Sequence, residues 1–464
     1  MDRKLEANAF PAKKFFVNML TRDINLSDAI LDLLDNCVDG IIRSKKVTKT
    51  SIDSGSPYLG YYAKIEMNDK FFKITDNCGG IPLKVAIEYA FMMGRDKSYD
   101  ENLPTVGMYG IGMKRALFKM GMHSSVLSKT IDGCFEVEID RNWLESETDW
   151  HIPIKLLEND TKGVLGTEIL ITDLYPSISS WFSNANFINN FREIISHNFS
   201  YIIKKGFKIF VNEIEVISAP LNLLFDKSKG IAPYLYSAKI GNVEVLLEVG
   251  LSGGIPSEDE IEQELISRHS KEESGWTIVC NDRVVVYKDK TIETGWGEAG
   301  VPTYHSQFNG INGVVFFNSN NPEELPLNTT KRGLDHSSKL YLEIKNHMRT
   351  GTKLFTDYTN HWKKFRDEEK ALRKNVVAID TREVSKEIES TKWNTITNNK
   401  DRVEKVFKPT LPKPVPKTSS VQIAFRREIS EVQKVSEYLF NTSDKSASTV
   451  GNECFELILR SIEE

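Results

Sequence analysis

The sequence predicts an α+β protein with a two-layer α/β sandwich, a second α/β domain and a helical C-terminal segment. Over residues 1–175, helix-like segments are mixed with strand-like runs that do not alternate regularly with them, which favours a two-layer sandwich. A second strand-rich region begins near residue 206 and leads into a long helical stretch. At 464 residues the chain is long enough for about three domains.

The first region, 1–175, opens with a helix over 25–43, where Leu26, Ile30 and Leu33 recur at helical spacing. YYAKIEM and KFFKITD are predicted to be paired strands joined by Asn68 and Asp69. Three further strands are expected at SSVLSKT, CFEVEID and GTEILITDL, with a helix near 112–121 before them.

The second region, 176–336, contains the strand-like runs FKIFVNEIEVI, YLYSAKIGNVEVLLEVG, WTIVCNDRVVVYKD and GVVFFNS. A long helix is predicted over 337–375. Its apolar positions lie three and four residues apart and are interrupted by one glycine: Tyr341, Ile344, Met348, Gly351, Phe355, Tyr358, Trp362 and Phe365. Such a seam packs on the helix's own domain or pairs with a second copy of the chain.

Residues 376–420 are polar and end in KPTLPKPVPKTSS, which predicts an extended linker. Residues 421–464 return to a helical pattern with two apolar stripes, as expected for a helical hairpin. A hairpin of this size buries little core alone, so we expect it to dock on another surface.

Composition excludes several classes of protein. No apolar run approaches the roughly 20 residues of a membrane helix, and the N-terminus lacks a signal-peptide core, so we expect a cytoplasmic protein without a membrane partner. The five cysteines form no CxxC pair, which argues against zinc and disulfides. A net charge of −5 argues against a general polyanion binder, although KKGFK at 204–208 is a modest basic patch.

Acidic side chains are concentrated on the 25–43 helix. Asp28, Asp32 and Asn36 share one face, with Asp35 and Asp39 alongside, and no lysine or arginine lies between residues 23 and 42. Carboxylates beside an amide suit a hydrated magnesium ion, which prefers oxygen ligands. The alternative is an acidic surface helix.

Two glycine-rich segments follow. In ITDNCGGIP at 74–82, Asp76 ends a strand, and its carboxylate could accept a hydrogen bond from the exocyclic amine of adenine. In VGMYGIGMKRALFKMG at 106–121, three glycines precede a helix that begins around Met113, and exposed amides at a helix N-terminus favour phosphate. Their spacing fits neither the dinucleotide fingerprint nor the P-loop. A fourth motif, LGTEILITDL at 165–174, opens a strand with Gly166 and Thr167.

Taken in order, these motifs resemble the N-box, the two glycine boxes and the distal threonine motif of GHKL ATPases, a superfamily that includes gyrase, heat-shock-ninety chaperones, histidine kinases, MutL and MORC proteins. The resemblance covers roughly residues 25–175 and implies a Bergerat-type two-layer α/β sandwich. It implies that Asn36 binds Mg²⁺, that Asp76 receives the adenine of ATP, and that Gly80 and Thr167 lie beside it. The lid over the phosphates would contain Gly107, Tyr109, Gly110, Ile111, Gly112, Met113 and Lys114.

The region after 206 resembles the transducer domain of dimerising GHKL proteins. Thr329-Thr330-Lys331 is similar to its switch loop, so the resemblance implies that Lys331 reaches the γ-phosphate as a catalytic residue. A basic turn before a helix is the alternative. Two positions depart from the family pattern. Asp32 stands where hydrolysing members have glutamate, and a carboxylate withdrawn by about 1.5 Å predicts slow turnover. Cys78 replaces the first glycine of the box.

The function expected from this resemblance is an ATP-gated dimeric clamp with slow ATPase activity, similar to MORC or MutL and to bacterial ATPases of restriction or anti-phage systems. Its partners would be a second copy of the chain and DNA or a nuclease. A heat-shock-ninety-like chaperone and a nucleotide-sensing pseudo-ATPase are the alternatives. A histidine kinase is disfavoured because none of the eight histidines precedes the N-box.

Overall fold

The computed structural model describes residues 12–45, 55–92, 103–105, 110–146, 149–158, 163–219, 221–256, 274–328, 333–415 and 423–463. The chain forms two compact units, Met1–Pro414 and Val415–Glu464. The larger unit contains two mixed sheets with helices packed against them, which agrees with the predicted α+β class.

The first sheet has eight strands in the order β5-β4-β3-β6-β2-β1-β7-β8. The helices and strands of this region are α1 (Lys13–Arg22), α2 (Leu26–Ser44), β1 (Tyr62–Met67), β2 (Phe72–Asp76), α3 (Leu83–Val85), α4 (Gly112–Met120), β3 (Gly121–Thr130), β4 (Gly133–Ile139), α5 (Arg141–Glu145), β5 (Ile154–Leu157), β6 (Gly166–Leu174), α6 (Pro176–Phe182), α7 (Ala185–Asn198), α8 (Ser200–Lys204), β7 (Lys208–Val211) and β8 (Ile214–Glu215). A π-helical turn, Ala86–Ala90, continues α3.

Helix α2 forms where the apolar spacing predicts it. Its N-cap is Asn25, whose side chain accepts a hydrogen bond from the amide of Asp28 at 2.8 Å and satisfies a donor that the helix leaves open. Ile30, Leu34 and Val38 on its apolar face are fully buried in the core of the first sheet. Helices α2 and α4 pack together on the sheet, which gives the predicted two layers.

The first sheet extends past residue 175, the boundary expected from the sequence. Strand β7 pairs with β1 in parallel, with Tyr62 opposite Lys208, and the helices between 176 and 204 contribute to the same core. The segment FKIFVNEIEVI, which the sequence analysis places in the second region, therefore belongs to the first sheet. A parallel partner more than 140 positions away leaves no local signal in the sequence.

The second sheet has seven strands in the order β13-β12-β14-β11-β10-β17-β16, and β9 pairs with β15 beside it. The helices and strands of this region are β9 (Asn222–Phe225), β10 (Tyr234–Ile240), β11 (Val243–Leu251), β12 (Gly275–Cys280), β13 (Arg283–Asp289), β14 (Ile311–Asn318), α9 (Lys339–Trp362), α10 (Arg366–Arg373), β15 (Val377–Asp380), β16 (Asn394–Asn398) and β17 (Arg402–Phe407). The described part of this region also contains five 3₁₀ turns: Ile292–Thr294, Ser306–Phe308, Pro322–Glu324, Val384–Glu387 and Ser390–Lys392.

Helix α9 packs on this sheet with the seam that the sequence shows. Tyr341, Met348 and Phe355 are buried in the core beneath it. A Cβ on Gly351 would overlap the side chain of Val249 on β11, so the glycine that interrupts the heptads permits close approach to the sheet. The seam therefore packs on the helix's own domain, the first of the two alternatives.

The linker prediction for 376–420 is wrong over 377–407, because this segment supplies three strands. Strand β17 pairs with β10 along its length, from Leu235 opposite Phe407 to Ile240 opposite Arg402. These strands are short and polar at their exposed positions, so they carry little of the alternation that marks a strand.

The smaller unit contains α11 (Ile429–Phe440) and α12 (Ala447–Glu463), which contact each other as the predicted hairpin. Much of its apolar surface is exposed, including Ile429, Tyr438 and Ile462. Among the helices in the described part of the chain, none is long and apolar enough to cross a membrane.

Candidate functional site

A cavity of about 540 Å³ lies between α2, the strands β2 and β6, and the N-terminus of α4. Of the residues predicted for the site, it is lined by Asn36, Asp76, Gly80, Gly110, Gly112, Met113, Lys114 and Thr167. The structure thus brings residues from all four sequence motifs to one cavity.

Asp76 lies at one end of the cavity, where β2 ends. Its Oδ1 accepts hydrogen bonds from the amides of Cys78 at 2.7 Å and Thr167 at 3.3 Å. Burial raises the pKa of the Asp76 carboxyl, and the hydrogen bonds from these two amides oppose that rise. The motifs around Asp76 and Thr167 therefore meet through the backbone amide of Thr167.

Gly79 and Gly80 make the turn after Asp76, with φ of 100° and 72°. Both angles lie in the left-handed region that favours glycine. A Cβ on Gly80 would also overlap the carbonyl oxygen of Lys129, so this position needs a glycine for space as well. The replacement of the family's first glycine by Cys78 is accommodated because the following two residues provide the turn.

Beside Asp76 the cavity wall is apolar. Leu33, Ile74 and Ile169 line it together with the thiols of Cys37 and Cys78. A hydrogen bond with Cys78 and burial raise the pKa of Cys37, and burial raises the pKa of Cys78. Both thiols are therefore uncharged at neutral pH, and this end of the cavity suits a flat apolar ring with one polar edge.

Helix α2 contributes one continuous face to the cavity. Asn36, Gly40, Arg43 and Ser44 line it, at steps of four, three and one residues. Of these four residues, only Asn36 is predicted as a site residue from the sequence motifs. Helical spacing from Asn36 was the available signal, since positions four, seven and eight residues further along share its face.

Asp32 lies one helical turn before Asn36 and is 8% exposed. It does not line the cavity. Its side chain lies against Gly112 at the start of α4, because a Cβ built on that glycine would be 3.2 Å from Asp32 Oδ2. A carboxylate at a helix N-terminus is favoured by the positive end of the helix dipole.

The opposite end of the cavity is formed by the segment that leads into α4. Gly110 and Gly112 line it, and Ile111 between them is the N-cap of α4 without lining the cavity. Exposed amides at a helix start suit an anion.

Lys114 is buried and lines the same end. Its Nζ donates to the carbonyl oxygen of Ala90 at 2.8 Å, at the end of the π-helical turn, and also to the carbonyl oxygen of Gly110. Burial lowers the pKa of Lys114 to about 8. The lysine therefore joins the two chain segments that border the cavity, and it titrates near physiological pH.

Further wall residues come from segments that carry no predicted motif. Thr130, Ile131 and Asp132 lie at the β3–β4 turn. Ile81, Pro82, Val85, Tyr89 and Ala90 lie between β2 and the end of the π-helical turn, and Leu165 directly precedes β6. Three predicted site residues, Gly107, Tyr109 and Lys331, lie outside the described residues.

This geometry suits a nucleotide ligand. A buried carboxylate beside an apolar slot, an asparagine, and glycines at a helix N-terminus line one cavity within one α/β sandwich. Residues 24–167 match the family described as Histidine kinase-, DNA gyrase B-, and HSP90-like ATPase. Residues 24–167 therefore form a domain of the GHKL ATPase superfamily. Among curated proteins no significant match to the chain was found.

Proposed function

We propose that the cavity binds Mg-ATP and that the chain hydrolyses it slowly as an ATP-gated dimeric clamp. The observation that supports this proposal is the convergence on one cavity of Asp76, Asn36 and the Gly110–Lys114 segment. Adenine would occupy the apolar end with its amine on Asp76, and the phosphates would lie at the N-terminus of α4. Titration calorimetry with Mg-ATP and the full-length protein tests the binding step.

Asn36 is the residue that would hold magnesium in this arrangement. Its amide oxygen is a suitable hard ligand, and magnesium usually takes one or two protein ligands together with phosphate oxygens and waters. It lies on the cavity face of α2. The ion would offset phosphate charge, while Lys114 and the α4 amides hold the same anion.

We expect Mg-ATP binding to draw a proton onto Lys114. With a pKa of about 8, most copies of this amine are neutral at pH 9. The triphosphate favours the charged form, so binding raises the pKa. At pH 9 we expect uptake of roughly half a proton or more per site, falling toward zero at pH 6.5, where the lysine is already charged. The dependence of the binding enthalpy on buffer ionisation enthalpy measures this uptake.

Lys114→Met should remove the proton uptake at pH 9 and weaken Mg-ATP binding at pH 7. Lys70→Met, at an exposed lysine of the same domain outside the cavity, is the control and should leave both unchanged. Equal uptake by the wild type and Lys114→Met would assign the proton to another group.

Asp32 is proposed as the base that activates water, acting from beside Gly112. Asp32→Asn should lower turnover by at least about 100-fold while Mg-ATP affinity stays within about threefold. It should also keep the dimer that a non-hydrolysable ATP analogue induces, as measured by light scattering. Asp28→Asn, one helical turn earlier, serves as the control. Unchanged turnover in Asp32→Asn would remove Asp32 from this role, and tight binding without turnover in the wild type would favour the nucleotide-sensing alternative.

Helix α1 supports the dimer part of the proposal. It presents Phe15 and Met19, one turn apart, with 68% and 48% of their surface exposed. Two side chains of α4 hold its C-terminal end: Arg115 Nε donates to Leu20 O at 3.3 Å and Lys119 Nζ to Thr21 O at 2.8 Å. Helix α4, which begins at the cavity, thus holds a helix with an exposed apolar stripe, and such a stripe suits contact with a second protomer.

DNA, a partner nuclease or a polypeptide client remain the proposed targets of such a clamp. The patch KKGFK gives DNA no support, because its lysines form ion pairs within the chain: Lys204 with Asp380, Lys205 with Asp282 and Lys208 with Glu215. Lys363 and Lys364 are exposed after α9 and are compatible with an anionic target. DNA affinity that depends on both salt and ATP would favour the clamp over the chaperone.

A further inference from the structure

Helix α2 contacts more than the nucleotide cavity. Asn36 lies on its cavity face, while the preceding residue, Asp35, points toward the second sheet and is 4% exposed. Asp35 Oδ1 accepts a hydrogen bond from Arg283 Nε at 2.8 Å, and this arginine is the first residue of β13. The helix that carries the proposed magnesium ligand is therefore joined to the second sheet by a buried ion pair at the adjacent residue.

Arg283 is fixed by further contacts that do not involve α2. Its Nη1 donates to the carbonyl oxygens of Asn198 and Val284, both at 2.9 Å. Its guanidinium lies over the ring of Phe199, 4.2 Å from the ring centroid. Because three groups hold the guanidinium, its position is set independently of Asp35, and it can act as a fixed point for the helix.

The turn before Arg283 is held by hydrogen bonds from residues in the regions of both sheets. Asn281 and Asp282 have φ of 46° and 68°, the two-residue turn geometry that suits a tight hairpin. Tyr58 donates to Asp282 at 3.1 Å, Lys205 at 2.8 Å and Arg382 at 2.6 Å. Burial alone would raise the pKa of Asp282, but the charges of Arg382 and Lys205 hold it below its ordinary value.

The same turn is continuous with the middle of the second sheet. Asn281 Nδ2 donates to Ser319 O at 3.1 Å, and Ser319 N donates to Asn281 Oδ1 at 3.0 Å. Ser319 directly follows β14, which pairs with both β12 and β11. Direct contacts therefore connect Asp35 on α2 to three strands of the second sheet, β14, β12 and β11.

We propose that Arg283 is a positioning residue for the nucleotide site, and that the β12–β13 turn couples the occupancy of that site to the second sheet. This inference rests on the proposed binding of Mg-ATP. When Asn36 engages the magnesium-nucleotide complex, α2 takes a defined position, and Arg283 favours that position through Asp35. Coupling is reciprocal, so the bound nucleotide must stabilise the turn by the same factor by which the turn strengthens binding.

Two variants test the proposal in the full-length protein. Asp35→Asn retains the oxygen that accepts from Arg283 but removes the charge, and Arg283→Lys retains the charge but cannot make all of its hydrogen bonds. We expect each to raise the Kd for Mg-ATP about tenfold, within the usual range for coupled sites. Lys345→Met is the control, since it breaks a partly buried ion pair with Glu298, at 2.5 Å, within the region of the second sheet.

Hydrogen exchange supplies a readout that a structural role would not change. Saturating Mg-ATP should slow amide exchange in β12 and β13 of the wild type and of Lys345→Met, but not of Asp35→Asn. Wild-type Kd and retained protection in both variants would overturn the coupling while leaving Mg-ATP binding intact. Failure of the wild type to bind Mg-ATP would overturn the proposed function as well. If Arg283→Lys does not fold, the nearly isosteric Asp35→Asn decides the outcome.

Discussion

Replacing Asn36 by alanine is expected to weaken Mg-ATP binding by at least about 100-fold, because the variant loses its metal ligand. The residue lines the same cavity as Asp76 and the α4 N-terminus, where magnesium would be shared between protein and phosphate. Its backbone lies inside α2, so the truncation removes the amide without disturbing the helix. Calorimetry at millimolar Mg²⁺, repeated with a chelator, measures both the affinity and its metal dependence.

Ser44→Ala provides the control for this experiment. Ser44 lies on the same face of α2 and also lines the cavity, but its hydroxyl donates to the carbonyl oxygen of Ile41 within the helix, at 3.1 Å. We expect its Mg-ATP affinity to stay within about threefold of the wild type. Wild-type affinity in Asn36→Ala would place the nucleotide elsewhere.

The second large effect is expected at Asp76, where asparagine should weaken ATP binding by about 100-fold. The variant replaces a carboxylate oxygen that would accept from the adenine amine by an NH₂ group, so two donors would face each other. The fold should tolerate this change, because Oδ1 accepts both amide hydrogen bonds, from Cys78 and Thr167, and asparagine keeps one such oxygen.

Inosine triphosphate distinguishes lost recognition from general damage to the site. Its ring carries a carbonyl oxygen where adenine carries the amine, so the wild type should bind it more weakly than ATP. In Asp76→Asn the amide can donate to that oxygen, and the preference for ATP should narrow or reverse. Equal losses for both nucleotides would show that Asp76 acts on the structure of the cavity rather than on the base.

The sequence was sufficient to predict several of the local segments that line the cavity. The helical spacing around Asn36, the strand end at Asp76 and the glycines before Met113 each impose a local structure, and the structure places all three at one cavity. Arg43 and Ser44 could have been found by extending the same helical spacing. The β3–β4 turn residues could not, because their position depends on how that hairpin lies over the cavity.

Sequence patterns could not predict the contacts between distant segments of the chain. Arg283 and Asp35 are 248 positions apart, and neither residue type nor spacing indicates that they meet. The strands in 377–407 were missed for the same reason, since their pairing with β9 and β10 compensates for weak strand patterns. Lys331 lies outside the described residues, so its role at the γ-phosphate stays a prediction.

The strand order of the two sheets has a consequence for how the chain folds during synthesis. Strand β1 finds its parallel partner only after Lys208 has been made, and β10 finds β17 only after Phe407. Pairing between such distant segments is slow, and partly made sheets expose open edges in the meantime. All four motifs leave the ribosome before β7 has been made, so the newest protein chains carry the segments that line the cavity on a sheet whose β1 edge is still open.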